Sequence, residues 1–171
     1  SVGYAAGSAL TTAHSTTFVG YNAGAAITTG VQNTGIGAYA LDGISTQSYC
    51  TAVGVSALSV ACGNHSTAVG HGAGMVMTGG QNTCMGSNSM VNVTSGNYNT
   101  ALGTFTMLTN TNGSRNTALG YQALYSATGN DHNTAVGNRA MVTASNNGSC
   151  TAVGSQALEV ATTGGHYNTA I

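Results

Sequence analysis

A glycine returns along this chain at a nearly fixed interval, and no other feature constrains the fold as tightly. Gly3, Gly20, Gly37, Gly54, Gly70, Gly86, Gly103, Gly120, Gly137 and Gly154 are spaced 17 residues apart, except for gaps of 16 from Gly54 to Gly70 and from Gly70 to Gly86. Each glycine closes the same phrase. The residue before it is aliphatic or Met (Val19, Ile36, Val53, Val69, Met85, Leu102, Leu119, Val136, Val153), as is Ile171 in the final, incomplete copy. Three before it stands Thr, from Thr17 to Thr151; two before, usually Ala; four before, mostly Asn, with Cys50 and Cys150 as substitutes. The third residue after it is nearly always Ala, and the fourth is Leu, Met or Gly. The eighth is Thr, Ser or Cys, as at Thr28, Cys62, Thr94, Thr128 and Thr162. A looser Gly/Asn/Ser segment follows before the phrase begins again.

A repeat this short fits the helical arrays poorly. Those need roughly 33 to 45 residues per unit, and Gly, Thr and Asn are poor helix formers. Two short β-like segments separated by Gly and a polar turn fit one coil of a solenoid. Thr-Ala-Val alternates with period two, so Thr and Val point one way while Asn, Ala and Gly point the other. The Ala/Gly side suits the inside of a narrow coil, and the Thr/aliphatic side then meets solvent or another chain. The expected fold is all-β: a parallel β-solenoid, or β-roll, of about ten coils of 16–17 residues, with 1–171 a single repeat array. The chain opens in mid-phrase at Ser1-Val2-Gly3 and stops in mid-phrase at Asn168–Ile171, which predicts an array cut from a longer chain at both ends.

Stacking also accounts for the composition. Coils lie about 4.8 Å apart, so each residue type faces its own copy. Stacked like charges repel, whereas Thr and Asn columns can form hydrogen-bonded ladders. Charged residues make up only 3% of the chain, against about 25% in an ordinary soluble domain. They are Asp42, Arg115, Asp131, Arg139 and Glu159, and there is no Lys, Pro or Trp. So few charges leave no basic surface for nucleic acid. No apolar run approaches the roughly 18 residues of a membrane helix, so no membrane insertion is expected in this segment. The 16-residue copies should lose their residue from the variable segment. A narrow coil of Ala, Gly, Thr and Asn buries little apolar surface, which calls for lateral association through the Val/Leu/Met columns of identical chains.

The phrase Gly120-Tyr121-Gln122-Ala123-Leu124, preceded by Asn116-Thr117-Ala118, resembles the Asn-Thr-Ala-x-Gly-Tyr-x-Ala-Leu arrays of phage tail-fibre proteins. The columns also resemble the head repeats of YadA-like trimeric autotransporter adhesins, although the repeat here is longer, has Thr for Ser, and sets Asn one residue nearer the Gly. The adhesin resemblance covers essentially the whole chain. It implies a left-handed parallel roll, a parallel homotrimer, and an extracellular role as a stiff stalk or adhesive head.

Few residues suggest chemistry. The five His (His14, His65, His71, His132, His166) match no compact ligand set and read as loop residues, so no metal or cofactor is expected. Three scattered carboxylates form no acid/base pair, and no phosphate loop or nucleophile elbow occurs, so no catalytic residue is assigned and the chain reads as a non-enzyme. Cys50, Cys62, Cys84 and Cys150 read as small neutral fillers. Cys50 and Cys150 share a column six coils apart and cannot pair with each other in a solenoid. Asn64, Asn92, Asn112 and Asn147 head glycosylation triplets of the kind an Asn/Thr/Ser-rich repeat produces by chance. One column is more suggestive. Five residues before each glycine stands a polar, often large residue: Gln32, Tyr49, His65, Gln81, Tyr98, Arg115, His132 and Tyr167. It should run as an outward stripe able to contact glycans or neighbouring fibres, although a solvated turn edge has the same composition.

The expected function is that of a structural fibre segment, shaft or adhesive head, on a virion or cell surface. Its expected partners are copies of itself, laterally and end to end, and a surface glycan or receptor. The alternative is an ice-binding or other ligand-binding solenoid module.

Overall fold

The computed structural model describes residues 1–145, 148–161 and 165–171. Thr162 and Asn147 lie outside them. The described chain is an all-β solenoid with no helix. Ten strands (Thr17–Val19, Thr34–Ile36, Thr51–Val53, Thr67–Val69, Thr83–Met85, Thr100–Leu102, Thr117–Leu119, Thr134–Val136, Thr151–Val153 and Thr169–Ala170) form one parallel sheet in chain order. The register is that of the repeat: Thr51 faces Thr67, Ala52 faces Ala68 and Val53 faces Val69. Each strand between the two ends of the sheet is bonded on both sides. Thr51 N–H donates to the Ser66 carbonyl of the following coil, and Gly54 N–H to the Ile36 carbonyl of the preceding one. Ala52, Ala68, Ala118 and Ala135 are fully buried, while Thr51 and Val53 are half-buried. The Ala side therefore faces the interior and the Thr/aliphatic side faces out.

The repeat glycine makes the corner that follows each strand. At Gly54 φ is +135°, and a Cβ there would sit 2.5 Å from the Gly70 carbonyl oxygen of the next coil. Both the dihedral and the close approach of the two backbones exclude a side chain. Further corners use the left-handed region without glycine: Tyr49 (φ 62°), Ser56 (φ 56°) and Leu58 (φ 49°), with equivalents in most coils. Such a conformation costs roughly 1–2 kcal/mol for an L-residue. Backbone hydrogen bonds to the neighbouring coils offset it: Tyr49 N–H donates to Val31 O, Ser56 N–H to Ala38 O, and Leu58 N–H to Ala73 O. Leu58, like Leu41, Met90, Met107, Leu124 and Met141 in the same column, is thereby turned fully inward.

The second β-segment forms in only part of the chain. Ala61–Cys62, Val76–Met77 and Asn92–Val93 make one three-stranded parallel sheet, and Ser126–Thr128, Thr143–Ser145 and Val160–Ala161 make another. In the earliest coils, successive amides converge on a single carbonyl. Thr11, Thr12 and Ala13 N–H all point to Thr28 O, and Thr28 and Thr29 N–H to Ser45 O, without a regular ladder. The large sheet passes unbroken through the 16-residue coils, because Thr67–Val69 and Thr83–Met85 keep the common register.

Inside, one column acts as a polar seam. Asn99 Oδ1 accepts the Asn116 N–H at 2.9 Å, and Asn99 Nδ2 donates to Gly113 O at 2.8 Å. Asn116 repeats this with the Asn133 N–H (2.9 Å) and Asn130 O (2.6 Å). A buried amide would be costly unpaired, but here each one stitches its coil to the next. The expected ladder is thus built by Asn. The outward Thr column contributes no side-chain hydrogen bond among the described residues. Thr11, Thr28 and Thr94, in the eighth position after the glycine, do donate to backbone carbonyls one coil on. Bulk is also balanced locally: Phe18 takes an Ala position, and Gly24 and Gly35 leave room for its ring.

Candidate functional site

With a packed interior, whatever this chain contacts must meet it on the outside. Three outward features can be built from the repeat. The first is the polar stripe at the left-handed corner that precedes each Asn position. That backbone conformation directs the side chain away from the roll, and Gln32, Tyr49, His65, Gln81, Tyr98, Arg115, His132 and Tyr167 are all exposed. Neighbouring rungs pair. The Tyr49 and His65 rings stack at 4.5 Å with planes 4° apart, and the Arg115 guanidinium lies 5.6 Å from the Tyr98 ring centroid. The stripe is therefore a ridge of flat groups at coil spacing.

The second feature is the outer face of the ten-stranded sheet. Val19, Ile36, Met85, Leu102, Leu119 and Val153 remain 36–46% exposed, in line and flanked by the Thr column. The third is an aromatic row just after the glycine corner. Tyr4 stacks on Tyr21 at 5.3 Å, Tyr21 meets Tyr39 edge-on at 5.3 Å, and Phe105 meets Tyr121 at 6.2 Å. This row was not anticipated. The Gly-Tyr pairs at residues 3–4, 20–21 and 120–121 were its only signal, and Tyr39 and Phe105 join it from one position further along.

The titratable residues are dispersed. His14 lies 3.4 Å from Ser15 Oγ, and His166 Nδ1 accepts the Gly148 N–H at 3.1 Å. His65, His71 and His132 are exposed. No group of three or more potential metal ligands occurs among the described residues, and no cavity is found there. Asp131 accepts the Ser114 N–H at 2.7 Å, Arg139 pairs with Glu159 on the surface, and burial pushes the Asp42 carboxyl above its ordinary range. Asn64, Asn92 and Asn112 of the glycosylation triplets are exposed, but Asn64 Oδ1 already holds the Ser48 N–H at 2.9 Å.

All four cysteines are buried and free. Cys84 fills an Ala position, and burial raises its thiol pKa to about 12. Cys150 takes an Asn position and donates to Gly165 O at 3.0 Å. Cys50 and Cys62 are different: their sulfurs lie 3.1 Å apart. Nothing in the repeat spacing had suggested that contact. Comparison with family models, with curated proteins and with solved structures gives no match.

Proposed function

We propose that this chain is a non-enzymatic structural segment of an extracellular fibre, associated laterally with copies of itself as a parallel homotrimer. The carrying observation is the aliphatic column on the ten-stranded sheet, in which Val19, Ile36, Met85, Leu102, Leu119 and Val153 are exposed and Val53, Val69 and Val136 half-buried. A continuous apolar stripe on a surface nearly devoid of charge favours burial against an identical stripe. Because every rung from Val19 to Val153 carries an aliphatic side chain or Met, two rolls in register meet apolar against apolar along that column. Three copies around one axis is the number that the resemblance to adhesin heads implies. Mechanical stiffness would come from the backbone ladder and cohesion from the aliphatic columns.

Sedimentation velocity tests the association. The wild-type chain should sediment as a single species of three copies. Replacing Ile36, Leu102 and Leu119 with Asp should release folded monomers with an unchanged far-ultraviolet spectrum. A wild-type chain that is monodisperse as a monomer overturns the proposal. The ridge of Tyr49, His65, Tyr98, Arg115, His132 and Tyr167 would give such a fibre an adhesive side, since stacked aromatic and guanidinium faces suit the apolar faces of sugars. Alanine at Tyr98, Arg115 and His132 should reduce retention on a glycan array without changing sedimentation.

Ice binding is the alternative that one observation favours, namely the outward Thr column beside the aliphatic one, although each strand carries only one such Thr and no paired array. It requires that face to be free of other chains. Thermal hysteresis in a monomeric preparation supports it, and its absence discards it.

A further inference from the structure

We propose that Cys50 and Cys62 form a disulfide that staples the roll across less than one full turn. Their sulfurs are 3.1 Å apart, about 1 Å beyond the ~2.05 Å of a disulfide bond, and both residues are buried. Each Cys departs from the repeat independently. Cys50 stands in the Asn column, and Cys62 stands where Thr or Ser stands in most coils. Two unrelated departures that land on one contact are not explained by filling space. Cys150 makes the same departure from the Asn column, but the residue twelve further along is Thr162, where Cys62 follows Cys50.

The location also fits. The Asn seam runs through Asn33 and resumes at Asn82, but between them the column holds Cys50 and then Ser66, whose buried Oγ has no hydrogen-bond partner. The two shortened coils begin at Gly54, inside this gap. A covalent link there would replace the missing amide stitches at the place where the seam is interrupted. This inference does not depend on the fibre assignment, beyond needing an oxidising environment.

Thiol–disulfide exchange with a low-molecular-weight disulfide such as oxidised glutathione makes the link. The Cys50 thiolate attacks the disulfide, one glutathione thiolate leaves, and a mixed disulfide remains on Cys50. The Cys62 thiolate then attacks the Cys50 sulfur. The Cys50–Cys62 bond forms and the second glutathione thiolate leaves. The two protons lost by the cysteines end on the two released glutathiones, which carry the two electrons. Either thiol can react first while the chain is open, and the second then attacks the mixed disulfide to give the same bond. Since neither sulfur is open to solvent in the finished roll, exchange takes place while the coil is winding.

The test refolds the full chain in a glutathione redox buffer, quenches with acid, and alkylates under denaturing conditions before proteolysis and mass spectrometry. Cys84 and Cys150 should be alkylated, and Cys50 and Cys62 should be recovered as one linked peptide pair, two hydrogens lighter than the reduced peptides. C50S should free Cys62 for alkylation, whereas C84S/C150S should leave the link intact. Ser66 already occupies the same column, so C50S suits the fold; if it nevertheless fails to fold, the wild-type peptide map decides alone. Alkylation of all four cysteines after refolding, or linkage of Cys50 to any residue other than Cys62, overturns the proposal.

Discussion

Asn99 does with one side chain what a residue in an ordinary sheet cannot: it bonds along the axis of the roll from inside. Asn99→Ala would strand the Asn116 N–H and the Gly113 carbonyl in a dry interior. The expected loss is about 1–3 kcal/mol for each unsatisfied group, read as a shift in urea midpoint. Asn99→Cys should lose less, since Cys50 and Cys150 occupy the same column. Gly54→Ala meets both an unfavourable φ and the Gly70 carbonyl, and should cost at least about 1–3 kcal/mol by the same measurement. Cys84 makes a pH prediction. Its thiol pKa is raised from 9.0 to about 12, so the folded chain keeps a proton that the unfolded chain releases above pH 9. Its contribution is complete below about pH 9 and declines as the pH rises toward 12. Between pH 8 and 10.5, Cys84→Ala should therefore gain about 2 kcal/mol relative to the wild type, compared by urea unfolding at the two values.

Among the elements, legibility depended on periodicity. The Thr-Ala-aliphatic strand could be read directly, because alternation by two sets Thr and the aliphatic residue on one face and Ala on the other. Small size suited Ala to the inside, but which face is inward was fixed only by the burial of Ala52, Ala68, Ala118 and Ala135. The left-handed corners at Ser56 and Leu58 could not. A buried Leu looks the same in sequence whatever its φ, and only the hydrogen bonds to both neighbouring coils explain the conformation. The second strand was legible as a tendency alone, since the columns do not separate the coils in which it forms from those in which it does not. The contact between Cys50 and Cys62 depends on the width of the coil, which no column records. Placement of an added residue follows from the same geometry. One residue inserted between Ala101 and Leu102 would turn every later side chain of that strand to the wrong face and should abolish cooperative unfolding. One inserted beside Thr78, in a coil already one residue short, should shift the thermal midpoint far less.

On the scale of the whole molecule, the strands lie across the long axis and their hydrogen bonds run along it. Aligned specimens should therefore give a strong axial X-ray reflection at about 4.7–4.8 Å, and its absence would refute the stacking. The uniform register of the large sheet has a genetic corollary. Rungs that present the same Thr, Ala and aliphatic groups above and below are interchangeable, so an unequal crossover that duplicates or deletes one seventeen-residue module leaves both new neighbours compatible. Reach could then be tuned in increments of about 4.8 Å, with no compensating change elsewhere in the gene.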